Sequence, residues 1–368
     1  MVKPTALVLT DYGRLERREF PNPPLGDDDA LLRVEACGMC GSDHEVFTGR
    51  MRWPLGFVPG HETVGVIDRI GPAAAERWGV REGDRVAVSN RRACRACDRC
   101  TAGDLANCVH FGPMTSYGMV PTSVPPSLWG GYATHHYLAA ESVVHRVPDS
   151  VDAVSATLFN PLAGAVTWAV EVPALRAGEV VAILGPGIRG ICAAAAAKAA
   201  GAAFVLVTGA GPHDTERLAT ARALGADLTV DVTRDDPVEA LRSAAGRLAD
   251  VVVDITAHAP AAFGQAMELA ALRGRVVYAG SRGDDATAVC RPDLITTREL
   301  RLTGVRGVST SAPAAALRLL GERRFPYERI DRTVAGFDSV ADLLLTMSGD
   351  AGRRPPLHAV FSPLEGLS

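Results

Sequence analysis

The chain has 368 residues, 47% hydrophobic and 22% charged, with 37 glycines, 24 prolines and a formal net charge of −4. At roughly 150 residues per domain this length points to two domains. The densest basic run, Arg91-Arg92-Ala93-Cys94-Arg95, is too short to track phosphates, which excludes a nucleic-acid surface.

Up to about residue 150 the sequence reads as short strands between turns. Ala6-Leu7-Val8-Leu9, Ala30-Leu31-Leu32-Arg33-Val34, Thr63-Val64-Gly65-Val66-Ile67 and Arg85-Val86-Ala87-Val88 are β-rich and bounded by Gly, Pro or Asp. From Val151 to Val170 the apolar spacing suits a helix. Strands and Ala-rich helices then alternate: strand 180–184, helix 190–201, strand 204–207, helix 214–224, strand 251–253, a helix near 260–272 and strand 275–278. That rhythm predicts a parallel, doubly wound sheet. The last 60 residues leave the rhythm and are expected to return to the first domain.

The longest apolar stretch, Ile191 to Val207, is broken by Lys198 and rich in small residues, so it reads as a buried helix running into a buried strand and not as a membrane span. Met1-Val2-Lys3-Pro4 lacks the apolar core of a signal peptide, and a cytosolic location is expected.

Gly185-Pro186-Gly187-Ile188-Arg189-Gly190 follows an apolar strand and opens a helix. Glycines there permit a tight turn and let the backbone approach a pyrophosphate seated on the helix N-terminus, so a dinucleotide site is expected. Such a site for NAD carries an acidic residue about 20 positions further on, at the end of the second strand. Here that strand ends Val207-Thr208-Gly209-Ala210-Gly211, and Gly209 stands where the carboxylate would be. NADP is therefore admissible alongside NAD, with His213 and Arg217 as candidate partners of its 2′-phosphate. Asp214 reads as the start of the next helix.

Of eight cysteines, Cys94, Cys97, Cys100 and Cys108 form C-x2-C-x2-C-x7-C. Four thiolates so close in sequence can surround one tetrahedral Zn²⁺ in a closed structural site. A ferredoxin-type cluster would need its fourth cysteine after three residues and a proline next, whereas Val109 follows Cys108. A second set, Cys40-Gly41-Ser42-Asp43-His44 and His61-Glu62, offers one thiolate and one imidazole on separate segments, suited to a zinc that keeps an open position.

Together with Gly60-His61-Glu62-Thr63-Val64-Gly65, Gly83-Asp84-Arg85-Val86 and Gly130-Gly131-Tyr132-Ala133, these motifs resemble the zinc-containing alcohol, polyol and glucose dehydrogenases of the medium-chain dehydrogenase/reductase superfamily. The resemblance covers nearly the whole chain. It implies an α/β protein with a GroES-like catalytic domain over residues 1–160, a Rossmann domain over 161–304 and a C-terminal return to the catalytic domain over 305–368. It further implies assembly as a homodimer or homotetramer, one catalytic and one structural Zn²⁺, NAD or NADP, and an alcohol or carbonyl substrate. Cys40 and His61 would be catalytic-zinc ligands, Ser42 the hydroxyl that takes the alcohol's proton, Asp43 the partner that orients His61, and Glu62 a nearby carboxylate able to ligate.

Two positions depart from the family pattern. Its third ligand, Cys or Glu, falls where Phe159-Asn160-Pro161-Leu162 stands, and the neutral carboxamide of Asn160 is a poor zinc ligand. Either Glu62 completes the site, or the metal is weakly held, or it has been lost. The family's downstream relay histidine is replaced by Glu45, with His44 one residue earlier. The alternatives are a zinc-free reductase of activated double bonds and a non-catalytic nucleotide-binding protein with structural zinc alone.

Overall fold

The computed structural model describes residues 3–283, 285–347 and 354–365; Met1 and Val2 of the N-terminal run lie outside them. Two compact units emerge, one of Met1–Asn160 with Asp331–Ser368 and the other of Pro161–Ile330. In chain order the strands of the first unit are β1 (Thr5–Asp11), β2 (Arg14–Glu19), β3 (Ala30–Met39), β4 (Glu62–Ile70), β5 (Arg85–Val88), β6 (His135–Leu138) and β7 (Val144–Arg146). Those of the second unit follow: β8 (Val180–Leu184), β9 (Phe204–Gly209), β10 (Leu228–Asp231), β11 (Ala249–Asp254), β12 (Ala270–Tyr278) and β13 (Arg301–Gly304). The chain then adds β14 (Arg332–Ala335) and β15 (His358–Phe361) to the first unit.

The first unit is built on a sheet in the order β14-β15-β3-β4-β5-β7, with β6 also paired to β3. Its central strands β3 and β4 run antiparallel, and their register sets Gly38 opposite Glu62. Both strands are buried at most successive positions, so the β-rich composition read from the sequence reflects near-continuous apolar runs covered on both faces. Full burial of side chains such as Leu31, Leu32, Ile67 and Phe361 contributes about 1.5–3 kcal/mol each.

The second unit is a six-stranded parallel sheet in the order β10-β9-β8-β11-β12-β13. Renumbered from its first strand, that order is 3-2-1-4-5-6, the Rossmann arrangement, in which a ligand binds at the carboxyl ends of the strands where the order reverses. β8 is buried along its whole length. The helix Ile188–Ala199 that follows it buries Ala193 to Ala197 completely or nearly so, and these small side chains let it lie close on the sheet.

The expected helix over 151–170 appears as Ala153–Ala156 and Phe159–Val166, continued by a wider π turn at Thr167–Glu171. The stretch Ala153–Glu171 is long and apolar enough to cross a membrane by composition, but 72% of it is buried inside the protein.

The C-terminal return starts at Asp331 and not at residue 305. Residues 305–330 stay with the second unit because specific contacts hold them there. Trp168 Nε1 donates to the Gly307 carbonyl at 2.8 Å, the Ser311 hydroxyl donates to Glu171 Oε1 at 2.7 Å, and Phe325 packs beside Gly225.

Candidate active site and metal centres

Cys40 ends the run out of β3 and precedes the short helix Gly41–Phe47. Asp43, in the first turn of that helix, is buried, and its Oδ2 accepts the Cys40 backbone N–H at 2.9 Å. Its other oxygen, Oδ1, lies 3.4 Å from His61 Nδ1. Burial disfavours a charged His61, but the field of Asp43 outweighs it and holds the imidazole's pKa well above its ordinary value. One carboxylate thus anchors the Cys40 backbone and lies against the His61 ring, a placement suited to orienting a ligand histidine. Ser42 is half-buried on the same turn, next to Asp43.

His61 and Glu62 enter β4 behind Gly60, whose φ of +90° and whose contact with the Tyr132 ring leave no room for a side chain. Glu62 is 2% exposed. A Cβ at Gly38, its partner across the sheet, would fall on Glu62 Oε2, so glycine there makes space for the carboxylate. The ligand atoms of Cys40, His61 and Glu62 lie within 4.8 Å of one another. Asn160 is drawn to the same place, but as a donor: its Nδ2 hydrogen-bonds Glu62 Oε1 at 2.8 Å. Thiolate, imidazole and carboxylate are the donor set zinc prefers, and the neutral amide turns its N–H toward one of those donors. The residues present therefore fit a zinc ion.

His44 takes no part in that cluster. It is buried, with Nδ1 2.8 Å from the Leu344 carbonyl. Of the aromatic and apolar residues in the His110–Trp129 loop, Tyr117 and Trp129 are core side chains, and Phe111 stacks under Arg92. Met119 alone of these reaches a small cavity that Asp43 also lines, together with Leu9, Val46, Phe47, Phe57, Pro59 and Leu344.

The sulfurs of Cys94, Cys97, Cys100 and Cys108 likewise lie within 4.8 Å of one another. Cys94 to Cys100 is 3.9 Å and Cys97 to Cys108 is 4.0 Å. A tetrahedron with zinc–sulfur bonds near 2.3 Å has sulfur–sulfur edges of about 3.8 Å, so the cage has the dimensions of a zinc site. Backbone N–H groups of Ala96 and Cys97 point at Cys94 Sγ (3.4 and 3.3 Å), and that of Cys94 at Cys108 Sγ (3.4 Å). Backbone donors, that of Val109 first, lower the Cys97 thiol to about 6, toward the thiolate a metal requires. All eight cysteines are free thiols.

In the second unit the glycine run turns from β8 into its helix. Gly185 has φ +100°, and a Cβ on Gly190 would collide with the Gly185 carbonyl, so these two glycines make the turn and the close helix approach. A Cβ on Gly187 would meet nothing within 4 Å, leaving that face open to a pyrophosphate. Ile188 and Arg189 form the first turn of the helix, and the Arg189 guanidinium lies 5.0 Å over the Trp168 ring. Thr208 and Gly209 close β9 and are buried. Arg217 faces Asp214, with Nη1 3.4 Å from Oδ1. Sequence reading missed Asp254, Thr256 and Arg282 at the ends of β11 and β12. Asp254 is fully buried, accepts the Thr256 hydroxyl at 2.6 Å and pairs with Arg282, and Thr256 packs against Gly185. A buried acid at the end of a parallel strand, two positions before a threonine, was the signal available.

A GroES-like unit with a zinc-ligand cluster and a thiolate cage, joined in one chain to a Rossmann unit, defines a zinc-containing medium-chain dehydrogenase/reductase. Residues 26–149 match the alcohol dehydrogenase GroES-like domain, and residues 190–322 match the zinc-binding dehydrogenase domain. The chain is 52% identical over 359 residues to the probable alcohol dehydrogenase adh of Mycobacterium tuberculosis, covering 97% of this chain and 98% of that one. It is 32% identical over 288 residues to an erythritol/L-threitol dehydrogenase of Mycolicibacterium smegmatis, covering 75% of each. A proposed zinc-binding dehydrogenase from Sinorhizobium meliloti 1021 bound to NADP superposes with TM-score 0.83 at 26% identity, covering 99% of this chain and 100% of that one. The chain belongs to the zinc-binding alcohol dehydrogenase family, and it is a zinc-dependent oxidoreductase acting on an alcohol or its carbonyl with NAD or NADP.

Proposed function

We propose that Cys40, His61 and Glu62 hold the catalytic zinc, that the four-cysteine cage holds a structural one, and that Asn160 acts through Glu62 and not on the metal. The observation that carries this reading is the Asn160–Glu62 hydrogen bond, which gives the carboxamide a role other than the ligand its position suggests. The bound groups supply a Lewis-acid charge that favours loss of the alcohol's hydroxyl proton and a nicotinamide that takes up the hydride.

The chain's own residues do the rest. Ser42 receives the hydroxyl proton and passes it toward solvent. Asp43 holds His61 in one orientation and anchors the backbone of Cys40. The Gly185–Gly190 turn would hold the pyrophosphate at the helix N-terminus, and Thr208, Gly209 and Arg217 would serve the adenosine ribose. The enzyme works in the cytoplasm as a homodimer or homotetramer.

Glu62→Gln tests the ligand set. Zinc counted after mild chelation should fall from two per chain to one, with turnover lost in parallel and the structural zinc retained. If the variant holds two zincs as firmly as the wild type, Glu62 is not a ligand.

A further inference from the structure

Gly209, the last residue of β9, leaves the ribose position of this Rossmann site without the strand-end carboxylate that reads a 2′-hydroxyl. The fold returns one from elsewhere. A Cβ built on Gly209 would meet Asp214 Cβ at 3.0 Å, Asp214 Oδ2 at 3.1 Å and Pro186 Cγ at 3.0 Å. The Asp214 carboxylate thus fills the space where a side chain at 209 would begin, beside the glycine turn. We infer that Asp214 is the residue that selects NAD over NADP, supplying from the following loop the carboxylate that the strand itself lacks. This rests on the dinucleotide reading of the Gly185–Gly190 turn.

Asp214 is held for that task before any cofactor arrives. Its Oδ2 accepts the Ala210 N–H at 2.9 Å, and its own N–H closes a turn onto the Gly211 carbonyl at 3.1 Å. Gly211 N–H in turn donates to Asp231 Oδ1 at 2.9 Å, tying the loop to the end of β10. Oδ1 of Asp214 faces Arg217 at 3.4 Å, so the cation that the sequence offered to a 2′-phosphate is already paired with an acid. A ribose 2′-hydroxyl can donate to this carboxylate, whereas a 2′-phosphate meets a like charge at short range.

Equilibrium binding of NADH and NADPH to the zinc-loaded full-length protein, followed by nicotinamide fluorescence without substrate, tests the inference. The wild type should bind NADH about tenfold more tightly than NADPH, the size of one like-charge repulsion at the effective dielectric of a protein surface. Asp214→Asn keeps the acceptor for Ala210 N–H, removes the charge and releases Arg217, so it should cut that preference about tenfold with an unchanged Tm. Asp214→Ser should do the same if the asparagine variant folds poorly. Equal or tighter binding of NADPH by the wild type, or an unchanged ratio in both variants, overturns the role of Asp214. Failure to bind either dinucleotide overturns the reading of the glycine turn, and this inference with it.

Discussion

Asn160 and Glu62, 98 positions apart, are joined by a 2.8 Å hydrogen bond in which the carboxamide Nδ2 donates to the carboxylate Oε1. On the proposed ligand set, the amide would hold a good zinc ligand in place of serving as a poor one. Removing the donor should loosen the carboxylate without unfolding the chain. Asn160→Ala should weaken catalytic zinc retention and lower kcat by about 10–100-fold, the usual effect of losing a group that orients a metal ligand. Structural zinc should be unaffected. Zinc analysis after graded chelation, alongside steady-state turnover, checks this, and an Asn160→Ala enzyme with wild-type zinc retention and kcat would remove Asn160 from the site.

How far the sequence reached depended on whether a feature was local. The four-cysteine spacing and the Gly185–Gly190 turn are set within a few residues, so their geometry could be expected from their order alone. The Asn160–Glu62 bond could not, because it depends on how the end of the first unit's chain at Asn160 comes back to the start of β4. Asp214 looked like a helix-starting acid, and only the folded loop shows its carboxylate against Gly209. The strands β10 and β13 went unseen because they edge the sheet. Leu228–Asp231 is half-buried and Arg301–Gly304 exposed along its length, so neither has the apolar run that marked β8 and β11.

The thiolate cage should be a folding element independent of catalysis. Cys97 is one of four sulfurs that, without a metal, would crowd together at about 4 Å with no compensating cation. Cys97→Ser should lose one zinc per chain and lower Tm, because metal bound only by the folded state stabilises it directly. The Cys40–His61–Glu62 cluster should keep its metal in whatever fraction stays folded. Full zinc content with an unchanged Tm would show that the cage is not a structural zinc site.

Acid should destabilise the first unit through its buried histidines. His136, fully buried with neither ring nitrogen hydrogen-bonded among the described residues, is pushed by burial from 6.5 down to about 3. His358, which shares a 2.9 Å hydrogen bond with Thr157, is lowered to about 3 by burial and then by the charge of Arg332. Below 6.5 the unfolded chain takes up protons at these sites that the folded chain does not. Stability is therefore complete above about pH 6.5 and falls as the pH drops toward 3. His136→Phe removes one titrating site and packs an apolar ring against Tyr117, whose ring centre lies 4.5 Å away. Its urea midpoint should fall less between pH 7 and pH 4.5 than that of the wild type. Parallel pH curves for the two proteins would show that His136 is protonated freely in the fold.

The free edge of the six-stranded sheet bears on assembly. Among the described residues β13 pairs with β12 on one side only, all four of its residues are exposed, and Leu302 on it is 36% exposed. A strand edge without a partner is a template for another strand, and pairing it with β13 of a second copy would satisfy both edges with two-fold symmetry. Light scattering after gel filtration should give a mass of two or four chains at micromolar concentration. Leu302→Arg would add like charges to both facing edges and should shift the population toward monomer at an unchanged Tm. A wild type that runs as a monomer, or a Leu302→Arg protein with an undiminished mass, would place the subunit contact elsewhere on the chain.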